Sequence, residues 1–113
     1  MSEGCVFCRI AQRQIPVEPV YEDTEFIAFR DMHPQAPVHV LLIPKTHYAT
    51  FMDIQDEGLL GRALLAVQRT AQAAGLADTG FRTVINHRED GGQTVYHVHW
   101  HILGGRFMNW PPG

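Results

Sequence analysis

The sequence has no long hydrophobic run, only two cysteines and no excess of basic residues. A membrane span needs about 18 or more consecutive apolar residues, so we expect no membrane partner. The first residues lack the pattern of a secretory signal peptide, and with the low cysteine count this predicts a reducing, cytoplasmic location. Nine Lys and Arg against twelve Asp and Glu give a net charge of −3. This charge argues against a nucleic-acid-binding protein, because such proteins normally carry a basic face.

The composition is that of one folded domain. With 113 residues, 45% of them hydrophobic and 19% charged, the chain can bury a core and is not a disordered tail. No repeat or linker divides the sequence, and chains of this length usually form one compact unit, so we predict a single domain over residues 1–113. Seven histidines beside two cysteines indicate that the domain carries chemistry.

Hydrophobic periodicity and turn signals predict an α+β domain with an antiparallel sheet. The main helix is expected over residues 56–74 and should end at Gly75. Its apolar stripe should contain Leu60, Ala63, Leu64, Val67, Ala71 and Ala74. The other expected elements are a short helical turn over 5–11, strands over 20–22, 26–30, 38–43, 81–86 and 95–103, and a Gly-rich turn over 89–92.

The segment from 97 to 103 alternates imidazole and apolar side chains. Successive side chains of a strand point to opposite faces, so His97, His99 and His101 should share one face while their apolar neighbours cover the core. At a rise of about 3.3 Å per residue, the backbones of His97 and His101 lie roughly 13 Å apart. The three rings therefore cannot comfortably bind one metal ion. Either two neighbouring imidazoles share a metal, or the rings divide between a metal site and catalysis.

Cys5 and Cys8 form a Cys-x-x-Cys pair, which can chelate zinc when two imidazoles complete a tetrahedron. His47, which follows the strand that stops at Pro44, and His97, in the last strand, are the leading third and fourth ligands. A redox pair is one alternative, although such a pair normally follows a strand and opens a long helix. Two free structural thiols are the other alternative.

The His-x-His-x-His pattern resembles the histidine-triad (HIT) superfamily, and the similarity covers nearly the whole chain. The surrounding motifs resemble the Hint branch, the histidine-triad nucleotide-binding proteins. They occupy residues 31–39, 43–45, 90–106 and 110–113. This resemblance implies a HIT-like fold, in which a five-stranded antiparallel sheet carries one main helix and a short N-terminal helix. It also implies a homodimer whose two sheets join into one continuous ten-stranded sheet.

The resemblance further implies a purine nucleoside phosphoramidase, which hydrolyses nucleoside 5′-phosphoramidates such as adenosine monophosphate linked to an amine. The middle histidine, His99, would be the nucleophile and would form a nucleotidyl-histidine intermediate, without a cofactor in catalysis. Bacterial relatives often hold a structural zinc ion. Its ligands map here onto Cys5, Cys8, His47 and His97.

Other polar residues are assigned to the phosphate. Phosphoryl transfer spreads negative charge over nonbridging oxygens in the transition state, so catalysis depends on positioned donors. His101 is expected to donate to one of these oxygens, and His39 to handle a proton or contact the phosphate. Thr94 replaces the serine of many Hint proteins and keeps a hydroxyl near the leaving group. The expected catalytic residues are therefore His39, Thr94, His99 and His101.

The nucleoside is expected to meet a carboxylate and an apolar wall. Asp31 can accept two hydrogen bonds from the ribose hydroxyls, although an aspartate here could instead cap the following turn. The C-terminal Trp110 is expected to bury against a partner chain. The complete set of expected substrate contacts is Phe7, Ile10, Phe29, Asp31, Met32, Asn86, Gly92, Gln93, Thr94, Val95, His99, His101 and Trp110.

Two other functions stay open on the sequence alone. The first is a zinc hydrolase in which His97 and His99 share a catalytic metal. The second is a nucleotide-binding sensor or interaction module with vestigial turnover. Chelation separates the zinc hydrolase from the covalent enzyme, because attack by His99 needs no metal at the reacting phosphorus. The presence of all three triad histidines argues against lost chemistry.

Overall fold

One antiparallel sheet organises the structure, a computed structural model that describes residues 4–113. Its strands are β1 (Tyr21–Glu22), β2 (Phe26–Arg30), β3 (Val38–Pro44), β4 (Phe81–Ile85) and β5 (Trp100–Gly104), in the spatial order β1-β2-β3-β5-β4. The helices are α1 (Val6–Ala11), α2 (Glu57–Ala73), the single turn α3 (Arg88–Gly91) and a 3-10 helix over Phe51–Asp53. The predicted α+β class and the five-stranded antiparallel sheet are confirmed.

The sheet buries both of its faces, which explains the nearly continuous apolar runs in β2 and β3. On one face, α2 packs against side chains from the three central strands. These are Phe26, Ala28, Val40, Leu42, Trp100 and Ile102. On the other face, α1 covers a smaller cluster formed by Cys5, Phe7, Cys8, Ile10, Ile27, Phe29, Leu41 and Ile43. We call this second group the α1-side cluster.

Helix α2 begins where expected, because the Asp56 carboxylate accepts the N–H of Leu59 at 3.2 Å. Its buried residues are Leu59, Ala63, Ala66, Val67, Thr70 and Ala71. The prediction that Leu64 belongs to the buried stripe was wrong, since its side chain is 55% exposed. Leu64 lies about 100° around the helix from Ala63, on the flank of the stripe. Among residues 4–113, no helix is both long and apolar enough to cross a bilayer.

Strand β5 begins at Trp100, five residues later than predicted. Trp100 pairs with Leu42 of β3, so the same register would bring Val98 opposite Pro44. Proline has no N–H for the ladder, and the N–H of Val98 instead donates to the Tyr48 carbonyl at 2.7 Å. The predicted alternation still holds, because Val98, Trp100 and Ile102 all lie in the core under α2.

The connection from β4 to β5 also differs from the prediction. Strand β4 ends at Ile85, one residue earlier than predicted, and the Gly-rich segment forms α3 before a left-handed Gly92 with φ 79°.

The C-terminal segment after β5 lies against Arg82 of β4. The Arg82 guanidinium donates to the Asn109 carbonyl at 3.0 Å and lies 5.6 Å from the Trp110 ring centre. Trp110 is 77% exposed in this single chain, so its burial on a partner chain stays a prediction.

Candidate active site and metal-ligand cluster

His99 is oriented by a hydrogen bond to the backbone. Its Nδ1 lies 2.8 Å from the carbonyl oxygen of His97. Because a carbonyl oxygen only accepts, Nδ1 carries the hydrogen and Nε2 keeps its lone pair. Burial lowers the pKa of His99 below its ordinary value, and the bond to His97 opposes this effect. The result is a neutral imidazole with one defined nucleophilic nitrogen.

His39 and His101 form a second hydrogen-bonded unit with defined tautomers. The backbone N–H of Gln35 donates to His39 Nδ1 at 3.0 Å, so the hydrogen of His39 is on Nε2. That Nε2 lies 2.9 Å from His101 Nδ1 and donates to it. His101 therefore carries its own hydrogen on Nε2. This Nε2 is buried and has no hydrogen-bond partner within the described part of the chain.

The two units lie side by side, with the His99 and His101 ring centres 4.9 Å apart. Burial, together with the neighbouring His99 and His39, lowers the pKa of His101 to about 4, against the raising effect of Asp31. The pKa of His39 is lowered by burial as well, against the raising effect of Asp31. Near neutral pH, the site thus pairs a nucleophilic nitrogen on His99 with an unused N–H donor on His101.

Asp31 stands at the end of β2 beside this pair. One carboxylate oxygen accepts the N–H of His33 at 2.8 Å, which is the turn-capping role, and the other lies 3.5 Å from His39 Nε2. The side chain is 19% exposed, so it is not fully sealed from solvent. The role expected for Asp31 toward ribose stays a prediction.

The expected purine wall is brought together only in part. Phe7, Ile10 and Phe29 are all buried in the α1-side cluster, and the rings of Phe7 and Phe29 meet edge to face at 5.6 Å. Met32 is 90% exposed. Phe29 and Met32 line a cavity of about 550 Å³ at the end of β2. The cavity beside Phe29 and Met32 is large enough for a nucleobase, whereas Phe7 and Ile10 do not line it.

Gln93 is placed as a brace. Its side chain is buried, accepts the N–H of Arg88 at 3.0 Å, and donates to the carbonyls of Ala49 at 2.8 Å and Val95 at 3.1 Å. Its backbone N–H donates to the Arg88 carbonyl at 3.0 Å. All donors of Gln93 are therefore engaged, and a contact with phosphate would require one of these bonds to break.

The remaining expected substrate contacts include three residues close to Gln93 in the chain and two that are farther from it. Gly92 and Thr94 are exposed on either side of Gln93, while Val95 is half-buried against the α1-side cluster. Asn86 follows β4 and is half-buried. The structure places Trp110 away from these residues, against Arg82.

Cys5, Cys8, His47 and His97 form a compact set of donor atoms, which we call the ligand cluster. All four atoms lie within 4.8 Å of one another. The two Nδ1 atoms are 3.2 Å apart, and the measured sulfur–nitrogen separations run from 3.2 to 3.5 Å. Tetrahedral zinc bonds of about 2.3 Å to sulfur and 2.0–2.1 Å to nitrogen put two nitrogens, or a nitrogen and a sulfur, roughly 3.3–3.6 Å apart. The cluster can hold a metal ion.

The tautomer of His97 also fits a ligand. Its Nε2 donates to the Pro44 carbonyl at 2.8 Å, so the lone pair of Nδ1 faces the two thiols. Metal-bound histidines commonly make this kind of outer hydrogen bond. Burial lowers the pKa of His97 to about 4, which keeps the ring neutral as a ligand must be. Cys5 and Cys8 are both buried and not joined by a disulfide.

This geometry separates the alternatives raised by the sequence. Both ring nitrogens of His97 are engaged, one by Pro44 and one by the ligand cluster, so His97 offers no nitrogen for a metal shared with His99. Each thiol faces an imidazole, and the six-residue α1 is shorter than the long helix of a redox pair. The contacts therefore favour a set of residues that can hold a metal ion over a catalytic metal shared by His97 and His99 or a redox pair.

A family model for the HIT domain matches residues 12–108. The chain belongs to the HIT family. An uncharacterized HIT-like protein from Synechococcus elongatus is 51% identical over 115 aligned residues that cover all of both chains. The crystal structure of a HIT family hydrolase from Legionella pneumophila has a TM-score of 0.92 and 52% identity, covering 97% of this chain and 100% of that chain. A histidine triad protein from Clostridium difficile has a TM-score of 0.90 and 40% identity, covering 97% and 98%.

Several backbone groups complete the site of this HIT protein, and sequence reasoning missed them. The N–H of Gln35 and the carbonyl of Pro44 fix the tautomers of His39 and His97. Every residue type offers these groups, so no residue pattern marks them. Gln93 was predicted as a phosphate contact, and in the structure its side chain bonds to Arg88, Ala49 and Val95. Its burial between polar loop residues gave no signal in the sequence.

Proposed function

We propose that this protein hydrolyses purine nucleoside 5′-phosphoramidates through a covalent nucleotidyl-histidine on His99. The hydrogen bond from His99 Nδ1 to the His97 carbonyl, at 2.8 Å, carries the proposal. It leaves Nε2 unprotonated and oriented, as a nucleophile at phosphorus requires. The similar Legionella pneumophila protein is named a HIT family hydrolase, which supports hydrolysis as the reaction class.

The proposed reaction has two balanced steps. His99 Nε2 bonds to the α-phosphorus while the phosphorus–nitrogen bond breaks, and its electron pair leaves with the amine. The Thr94 hydroxyl passes a proton from solvent to that nitrogen. Water then attacks the phosphorus, loses a proton to solvent and releases His99 with a nucleoside monophosphate. In both transition states, the Nε2–H of His101 donates to a nonbridging oxygen, which needs such a donor most when charge develops.

The nucleoside is the part of the substrate that sets its class. In this proposal the partly exposed Asp31 carboxylate accepts hydrogen bonds from the ribose hydroxyls. The purine is placed beside Phe7, Ile10, Phe29 and Met32, and two of these residues, Phe29 and Met32, line a cavity of about 550 Å³. Gly92, Thr94, Val95 and Asn86 complete the expected phosphate side of the site.

We assign a structural zinc ion to the ligand cluster. Two thiolates with two neutral imidazoles are a set that zinc prefers in closed, four-coordinate sites. With four protein ligands, no position is left for substrate, so catalysis in this proposal needs no cofactor. When bound, zinc contributes folding free energy. The four ligands would then connect α1 to the loop after β3 and to the segment before β5.

We infer a homodimer in the cytoplasm. Strand β4 pairs with β5 along one edge and has no partner strand on its other edge within residues 4–113. Phe81 on β4 and Leu64 on α2 are exposed apolar side chains, at 39% and 55%. Pairing of two β4 edges would give the continuous ten-stranded sheet, and Trp110 of the C-terminal tail lies against Arg82 of β4.

The decisive experiment compares wild type with His99→Ala on adenosine 5′-phosphoramidate. Turnover should fall by roughly three orders of magnitude or more, because the nucleophile is lost, while AMP binding changes little. Mass spectrometry of acid-quenched wild type should locate the adenylyl group on His99. Exposed His33→Ala is the control and should behave as wild type. Wild type that binds AMP without turnover would instead support the nucleotide sensor.

A further inference from the structure

We propose that Phe7 is a positioning residue for His99, and that the ligand cluster controls the orientation of His99 through Phe7 and the His97 carbonyl. The inference rests on the proposed function, because it takes His99 as the nucleophile and the ligand cluster as metal-loaded. Such control requires physical contact between the ligand cluster and His99. Two physical connections between them are visible.

The first connection runs through α1. This helix has only six residues, and a helix of this length is not stable without tertiary contacts. Cys5 is its N-cap and accepts the Cys8 N–H at 3.3 Å, so both sulfurs of the ligand cluster belong to one helical turn. Phe7 is held between them. A metal ion or contacts that hold the two sulfur atoms therefore also hold the helical turn that carries the Phe7 ring.

The Phe7 ring then meets both histidines edge to face. Its centre lies 5.3 Å from His99 at an interplanar angle of 89°, and 5.9 Å from His97 at 74°. Phe29 supports it from a third side at 5.6 Å. A single hydrogen bond at Nδ1 still leaves the ring some rotation about the Cα–Cβ and Cβ–Cγ bonds. The edge contact with Phe7 restrains that rotation, and His101 borders His99 at 4.9 Å.

The second connection runs through His97 itself. Its imidazole belongs to the ligand cluster, with Nδ1 3.3 Å from Cys5 Sγ, while its carbonyl accepts the His99 Nδ1–H. A change in the position of the His97 ring therefore moves the acceptor that sets the tautomer of His99. Both connections end on His99, so assembly of the ligand cluster aligns the nucleophile from a distance.

The test reads the His99 ring directly. In zinc-loaded wild type without nucleotide, the ¹⁵N NMR signals of His99 at pH 7.5 should show the Nδ1–H tautomer alone. Zinc-loaded Phe7→Leu keeps all four ligands and one zinc per chain, but should show both tautomers and a kcat reduced roughly twofold to tenfold, the range of an aromatic edge contact. Val6→Leu, at the exposed neighbour in α1, is the matched control and should equal wild type.

Removal of zinc from wild type by a chelator should produce the same mixture of tautomers. If the chelated chain unfolds, zinc-loaded Phe7→Leu decides alone. A single unchanged His99 tautomer in Phe7→Leu, with only a higher KM, would overturn the inference, because Phe7 would then be a base contact and nothing more. If zinc removal or Phe7→Leu changes the His99 tautomer, but zinc-loaded wild type never turns over phosphoramidate, the coupling is upheld and the proposed function is rejected.

Discussion

His39 Nε2 lies 2.9 Å from His101 Nδ1, and this contact determines which nitrogen of His101 carries the hydrogen. The backbone N–H of Gln35 occupies the other nitrogen of His39, so the direction of donation is fixed. His101 consequently presents Nε2–H, a buried donor without a protein partner among residues 4–113. A nonbridging phosphate oxygen would satisfy it. His39 can thus support catalysis without touching the substrate.

The first prediction separates this role from a direct phosphate contact. His39→Ala should reduce kcat on adenosine 5′-phosphoramidate roughly threefold to tenfold, because His101 loses the bond that fixes its tautomer. His39→Gln should recover most of the rate, since its amide can donate to His101 Nδ1. AMP affinity, measured by calorimetry, should change little in both variants. Equal loss in the two variants would show that an imidazole is needed at position 39 for another reason.

The second prediction concerns stability against pH. Burial lowers the pKa of His101 to about 4, whereas the unfolded chain has the ordinary value of 6.5. Between these values the unfolded state binds more protons, so the free energy of unfolding falls as pH falls from about 6.5 toward 4. His101→Gln removes this titration, and its urea midpoint should decline less between pH 7 and pH 5 than that of wild type. Exposed His33→Gln is the control and should retain the wild-type decline.

Alternation along the chain was the most informative sequence feature, even where the predicted strand was too long. The rule needs only that neighbouring side chains point to opposite sides. Val98 and Trp100 therefore reached the core although β5 begins at Trp100. The ligand cluster was likewise predictable, because Cys-x-x-Cys limits the partners to nearby imidazoles and the structure brings His47 and His97 to it.

What the sequence could not provide depends on tertiary geometry. Leu64 is apolar and was expected inside, but the small Ala63 and Ala66 allow a close approach of α2 to the sheet and set which side of the helix is buried. Gln93 is polar and was expected to face the phosphate. Its burial depends on the carbonyls of Ala49 and Val95 coming together, which residue types do not encode.

The third prediction follows from that burial. Gln93→Ala leaves the Ala49 and Val95 carbonyls and the Arg88 N–H without the amide, and should lower the free energy of unfolding by about 1–3 kcal/mol. Urea denaturation followed by circular dichroism measures this loss. Gln72→Ala, on the exposed side of α2, is the matched control and should stay within about 0.5 kcal/mol of wild type.

Gln93→Glu sharpens the same test. The carboxylate can still accept the Arg88 N–H, but it turns an acceptor toward the Ala49 and Val95 carbonyls where the amide had donated. Gln93→Glu should therefore be at least as destabilising as Gln93→Ala near pH 7, despite its nearly identical shape. If both variants keep wild-type stability and lose turnover instead, Gln93 leaves its carbonyl partners to bind phosphate, and the brace observed in the free chain is not its working state.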